Sequence, residues 1–241
     1  MSLPTYQAIG TAQSAIALAA PDDFLTISCA WPTHQAGDIG FFVVYDDGNA
    51  IWAEIDPGAD WTLVASANAA TARLKVFRRR AASASEGTAG FTTSTGLTSG
   101  GSAANAHAVI ITYRGAVASG DPINTSASST RASSSSCTFP TATTTEDDCM
   151  ILLFASRDND SAAAAWSAQT NAALGSITER YDAGTALGNG GGISITEGTK
   201  ATAGSVGTTS STVTTSAGGM ITVALRGILP LTNSPAFFIL F

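Results

Sequence analysis

The sequence predicts an all-β protein, an antiparallel, jelly-roll-like β-sandwich made of two pseudo-repeated halves. Three observations carry this expectation. Short apolar runs rich in β-branched and aromatic residues recur along the chain, bounded by Gly, Asp and Asn. Helical periodicity is nearly absent. Motifs of the first half return in the same order about 110 residues later.

The elements follow in order. Residues 24–31 read as a strand of mixed alternation, ended by Pro32. Residues 39–45 form a continuous apolar run between Gly37-Asp38 and Asp46-Asp47-Gly48-Asn49, the pattern of a strand buried on both faces. Residues 73–78 alternate polar and apolar, which predicts one buried and one wet face. Residues 109–113, 150–154, 193–196 and 220–225 complete the strand set. Residues 161–168, with a run of four alanines before Trp166, read as a loop rather than one helical turn. Many short strands separated by turn residues point to a sandwich.

The repeat sharpens this picture. Ile111-Thr112-Tyr113-Arg114-Gly115 returns as Val223-Ala224-Leu225-Arg226-Gly227. Asp38 before one apolar run is echoed by Asp148 before another, Cys29 with Pro32 by Cys137 with Pro140, and residues 61–64 by 177–180. The expected layout is an N-terminal arm over 1–20, a sandwich over 21–228 with halves at about 21–118 and 130–228, and an apolar tail over 229–241. The halves either share one core as two facing sheets, as in a jelly roll, or stand as tandem sandwiches.

Three low-complexity stretches, 94–104, 126–136 and 201–216, read either as flexible loops or as exposed edge strands or ordered loops laid against a neighbour. Residues 208–215 have the β-propensity of a strand. The tail is different: Phe237, Phe238, Ile239, Leu240 and Phe241 are large and apolar, an aggregation hazard if left free. They must bury on the chain's own core or on a partner.

Composition excludes several function classes. The 241 residues are 44% hydrophobic and 12% charged, about half the usual charged share. Eighteen acidic against 11 basic residues leave a net charge of −7, which rules out a general electrostatic grip on nucleic acid. Sparse charge also argues against disorder. Ser and Thr make up about a quarter of the chain. Small polar residues with few Lys and Glu suit a surface covered by neighbours, although a GC-rich genome would also favour Ala and Gly. No stretch has the length of a membrane span, and the apolar run at 15–20 lacks the basic flank of a signal peptide. Cys29, Cys137 and Cys149 have no metal-ligand spacing and read as free, buried thiols of a reducing compartment.

Catalytic signatures are weak. His34 and His107 are the only histidines, and neither belongs to a zinc motif. The Gly-rich pieces lack the Lys-Ser/Thr of a phosphate loop, and no nucleophile elbow occurs. Asp46-Asp47-Gly48-Asn49 and Asp158-Asn159-Asp160 are oxygen-rich loops of the sort that hold calcium, but they read as ordinary turns. Acidic pairs at Asp22-Asp23, Asp56/Asp60 and Glu146-Asp147-Asp148 have nothing to bring them together across a cleft. The expectation is therefore no catalytic residue, no cofactor and no metal. Arg78-Arg79-Arg80 is the one basic cluster; after the alternating strand it reads as a strand end, too small for nucleic acid, or else as an assembly interface that pairs with acids of a neighbouring subunit. Trp31 and Trp61 read less as contacts than Trp52 and Trp166, whose loop positions make them the candidates for stacking on a glycan.

The order of these pieces resembles a family of β-sandwich proteins found mostly in tailed bacteriophages and prophages. The resemblance rests on Ala36-Gly37-Asp38-Ile39, Gly58-Ala59-Asp60-Trp61-Thr62-Leu63-Val64, Val76-Phe77-Arg78-Arg79-Arg80-Ala81 and Ile111-Thr112-Tyr113-Arg114-Gly115 in the first half. It continues with residues 143–148, 177–182 and Val223-Ala224-Leu225-Arg226-Gly227, and spans about residues 10 to 228. Asp60 stands where the family often has Gly. The resemblance implies a non-enzymatic virion component, a capsid decoration or a tail- or fibre-associated subunit, assembled in the host cytoplasm. Implied partners are other virion proteins and further copies in a homo-oligomer. The alternative is a carbohydrate-binding adhesin that uses Trp52 or Trp166 on a host-surface glycan.

Overall fold

The computed structural model describes residues 2–17, 24–47, 55–93 and 104–228. Every regular element among them is a strand, and the apolar runs of the sequence form the central ones. In chain order these are β1 (Thr5–Ile9), β2 (Gln13–Ala17), β3 (Thr26–Ala30), β4 (Ile39–Asp46), β5 (Thr62–Ala67), β6 (Arg73–Arg80), β7 (Thr88–Thr92) and β8 (Ala104–Arg114). There follow β9 (Ile123–Thr138), β10 (Thr143–Thr144), β11 (Cys149–Arg157), β12 (Trp166–Thr170), β13 (Gly175–Thr185), β14 (Gly191–Lys200), β15 (Gly204–Ser205) and β16 (Ser210–Leu225).

Each half of the chain builds one six-stranded antiparallel sheet and one two-stranded sheet. The first large sheet runs β1-β8-β4-β6-β5, with β2 also on β8; β3 and β7 pair separately. The second runs β12-β16-β11-β14-β13, with β9 also on β16; β10 and β15 pair separately. The pairing order β8-β4-β6-β5 of the first half thus recurs as β16-β11-β14-β13 in the second. Large sheets are not interleaved between the halves: each is drawn from one half alone.

The two large sheets face each other, and strand alternation explains how. From β4, Ile39, Phe41, Val43 and Tyr45 point into the space between the large sheets, meeting Met150, Leu152 and Phe154 of β11. The intervening Phe42 and Val44 point the other way, toward Leu25, Ile27 and Cys29 on the small β3–β7 sheet. Ile151, Leu153 and Ala155 likewise face Cys137, Phe139 and Val206 beside the small β10–β15 sheet. Four β layers enclose three apolar seams. This is why β4 and β11 read as continuous apolar runs: both of their faces are covered.

Of the two readings of the low-complexity stretch 126–136, the exposed edge strand holds: it is the middle of β9, a 16-residue strand in which small hydroxyl side chains face solvent and the backbone pairs with β16. Two expectations need correction. Residues 5–17, read as an arm, form β1 and β2, edge strands laid along β8. Residues 73–78 are not wet on one side, because Phe77 is buried against Phe42 and Trp61 in the seam above the small sheet. The tail residues Phe237 to Phe241 lie outside the described residues, as does Trp52.

Candidate functional site

The loops at one end of the first half gather most of the polar chemistry. Trp31, just after β3, lies over Gly40, where a methyl group would stand 2.4 Å from its ring. Its centroid is 5.4 Å from Trp61 and 4.9 Å from His34. Both tryptophans are buried. The His34 ring is held at both nitrogens: the backbone N–H of Glu86 donates to Nε2 at 3.2 Å, so Nδ1 carries the proton and donates to the Pro32 carbonyl at 2.6 Å. The Glu86 carboxylate accepts from the Ser83 N–H at 2.7 Å and from Arg79 at 2.7 Å. Three shallow basins flank this cluster, of about 400 Å³ beside Trp31 and His34, 290 Å³ beside Asp60 and Arg79, and 220 Å³ beside Arg80 and Arg114.

The arginine cluster closes β6, as a strand end does, and two of its members pair with acids of the same chain. Arg78 reaches Asp121 at 3.2 Å, and Arg79 reaches Asp60 at 3.4 Å as well as Glu86. Among the described residues Arg80 finds only the Gly37 carbonyl, at 3.2 Å. Nearby, Arg114 grips Asp38 with two hydrogen bonds of 2.9 and 2.8 Å, and Arg226 at the matching strand end reaches Glu146 at 2.6 Å. Arg114 therefore ties the end of β8 to the loop before β4, and Arg226 ties the end of β16 to the loop before β11.

A second polar cluster lies at the seam between the halves. His107 on β8 is buried, with Nδ1 2.7 Å from Ser14 Oγ of β2 and Nε2 2.8 Å from the Tyr181 hydroxyl of β13. Burial, reinforced by the positive charge of Arg157, pushes its pKa down to about 4. Along the same seam Tyr113 donates to Glu197 at 2.8 Å, Arg180 reaches Glu197 at 2.5 Å, and the Arg180 guanidinium lies 4.4 Å from the Tyr6 ring centroid. Burial and then the Glu197 charge push the Tyr113 phenol well above its ordinary range. Tyr45 crosses the seam to donate to the Gly190 carbonyl. These groups stitch one sheet to the other, and only the Arg180 Nε among their buried polar atoms lacks a partner among the described residues.

Other residues singled out in the sequence sit apart. Trp166 is only 6% exposed, packed in the seam beneath β12 with Arg157 5.5 Å from its ring centroid. It offers no stacking face, which removes it as a glycan contact. Asp158 accepts from Thr71 at 2.6 Å and from the Ala217 N–H at 2.9 Å, as a turn residue does. Asp22-Asp23 lie outside the described residues. Among the described residues no group of three His, Cys, Asp or Glu is placed to hold a metal. Cys29, Cys137 and Cys149 are free and buried, and burial raises the Cys29 thiol to about 12.

The His107–Tyr181 contact escaped the sequence reading. Its signal was present in the alternation of β8: His107 shares the face of Val109, Ile111 and Tyr113. No family model, curated protein or solved structure matches the chain.

Proposed function

We propose that the chain is a non-enzymatic structural component of a tailed-phage virion, a capsid decoration or a tail- or fibre-associated subunit. The observation that supports this reading best is the use made of chemically capable side chains. Both histidines have both ring nitrogens engaged within the chain, at His34 and at His107. Arg79, Arg114, Arg180 and Arg226 are each held by a carboxylate. Such groups act as struts between layers of a rigid β scaffold. A surface of small hydroxyl residues on β9, with little rotamer freedom to lose, suits close packing against neighbours.

Its partners are other virion proteins and further copies of itself, with the apolar tail at 229–241 docking on a neighbour. The test is to produce particles carrying the full chain or a variant lacking residues 236–241. The full chain should co-purify with particles at a fixed copy number. The truncated one should stay folded, as judged by thermal melting, and be lost from them. A truncated chain that simply unfolds rejects tail docking. A full chain that never enters particles rejects the virion reading.

A further inference from the structure

The two flanks of the sandwich are built differently. On one, the edge strand β13 is stitched to the first sheet by the His107–Tyr181 and Arg180–Tyr6 contacts, and it carries Glu179, Arg180 and Asp182. Charges on an edge strand discourage further pairing. On the other flank lie β5 and β9, each the outermost strand of its sheet. Among the described residues β5 pairs with β6 alone and β9 with β16 alone, and no hydrogen bond joins β5 to β9. β5 carries no charge, and its Leu63 is 49% exposed.

The first sheet also stops short of β9. Residues directly opposite on neighbouring strands share a face. Ser126 and Ser128 of β9 stand opposite Val223 and Ile221, both in the core between the large sheets, and Thr130 stands opposite Gly219. All three therefore point toward the first sheet, yet all three are exposed. β5 lies over β16 instead, where a methyl group on Gly219 would stand 2.8 Å from Ala67 Cβ. On this flank the first sheet is one strand short, with the free edge of β5 on one side of the seat and the hydroxyl row of β9 over it.

We propose that this seat takes the C-terminal segment of a second copy, residues 236–241, as a strand added antiparallel to β5. The inference rests on the tail-docking reading above and names the surface that receives the tail. A free strand edge bonds to any extended backbone, and the side chains beside it set the preference. Leu63 calls for apolar neighbours. Ala236-Phe237-Phe238-Ile239-Leu240-Phe241 is apolar throughout, has no proline, and equals β5 in length at six residues.

Direction selects a second copy over the chain's own tail. Every strand pair in the two large sheets is antiparallel. β5 begins at Thr62, opposite Arg78, whose guanidinium reaches Asp121. The chain leaves β16 at that same end, where Arg226 donates to the Asp121 and Pro122 carbonyls. Its own tail would run along β5 in the parallel sense unless residues 229–235 doubled back. A neighbour turned about a two-fold axis across β5 delivers its tail from the opposite direction and receives one in exchange.

The test is sedimentation velocity on the full chain, on Leu63→Lys and Ser128→Lys, and on the control Ser167→Lys, an exposed position on β12 across β16 from β9. The wild type should dimerise, with little change between low and high salt because the contact is apolar. A lysine at either flank position sets a charge against the incoming strand and should raise the dissociation constant by at least about tenfold. Ser167→Lys should leave it unchanged. Leu63 and Ser128 sit on different sheets, so one variant keeps the test valid should thermal melting show the other unfolded. A monomeric wild type, or flank variants that dimerise as it does, overturns the proposal. So does a dimer that survives deletion of residues 236–241. A dimer lost on that deletion but kept by both flank variants rejects this seat alone and leaves tail docking standing. A chain found on particles yet monomeric in solution overturns the second copy as occupant and leaves the virion reading standing.

Discussion

His107 makes the protein sensitive to acid in a way that can be worked out in advance. The imidazole lies 3% exposed between Ser14 and Tyr181, and its folded pKa is about 4, against an ordinary value of 6.5. The folded state therefore binds this proton less tightly than the unfolded state. Its contribution to stability is complete above pH 6.5 and is lost as pH falls from 6.5 to 4. That interval, at about 1.4 kcal/mol for each pH unit, amounts to about 3 kcal/mol, with about 2 kcal/mol gone by pH 5. Urea unfolding of the wild type and of His107→Gln between pH 7.5 and 4 reads this directly. The variant should be less stable at pH 7.5 by about 1–3 kcal/mol, because the seam loses its bridging ring. Its stability should then fall less steeply than the wild type's between pH 6.5 and 4, since other titrating groups are common to both proteins. Parallel curves over that window would refute the buried, neutral histidine.

Phe154, fully buried and 5.8 Å from Phe41 across the large sheets, should cost about 3–5 kcal/mol when changed to Ala, measured by urea unfolding; a loss below 1 kcal/mol would contradict the facing-sheet core. Gly40→Ala places a methyl group 2.4 Å from Trp31 and should cost about 1–3 kcal/mol of overpacking, visible as a lowered Tm. Burial raises the Cys29 thiol to about 12 and Cys149 to about 11, and it raises Cys137 as well. An aromatic disulfide reagent at pH 8 should therefore leave all three thiols unreacted until urea is added; a rapidly reacting thiol in the native protein would count against their burial.

The layers of the fold were legible where both the sheet period and burial speak in the residues themselves. Residues 39–45 and 150–154 announce doubly covered strands, and they are the centres of β4 and β11. Asp38 and Arg114, recognised only as repeat markers, turn out to be hydrogen-bonded to each other. What lay beyond the sequence was whatever depends on which surface a neighbouring layer covers. Trp166 follows an alanine run that reads as loop, yet β12 turns the ring inward. Phe77 occupies the supposedly wet face of β6, which the small sheet covers. Residues 126–136 carry no apolar period at all, because β9 is held by backbone pairing at a sheet edge rather than by a buried stripe. Nor did spacing foretell that Cys29 and Cys137, alike in sequence context, would fall in strands that do not correspond, one on a small sheet and one at the end of β9.

The structural role is tested most directly by comparing density maps of intact particles made with and without this chain. Difference density at symmetry-related positions on the capsid surface or along the tail, accommodating the four β layers, is the predicted result. Indistinguishable maps, with the chain recovered entirely in the soluble fraction of the lysate, would contradict it.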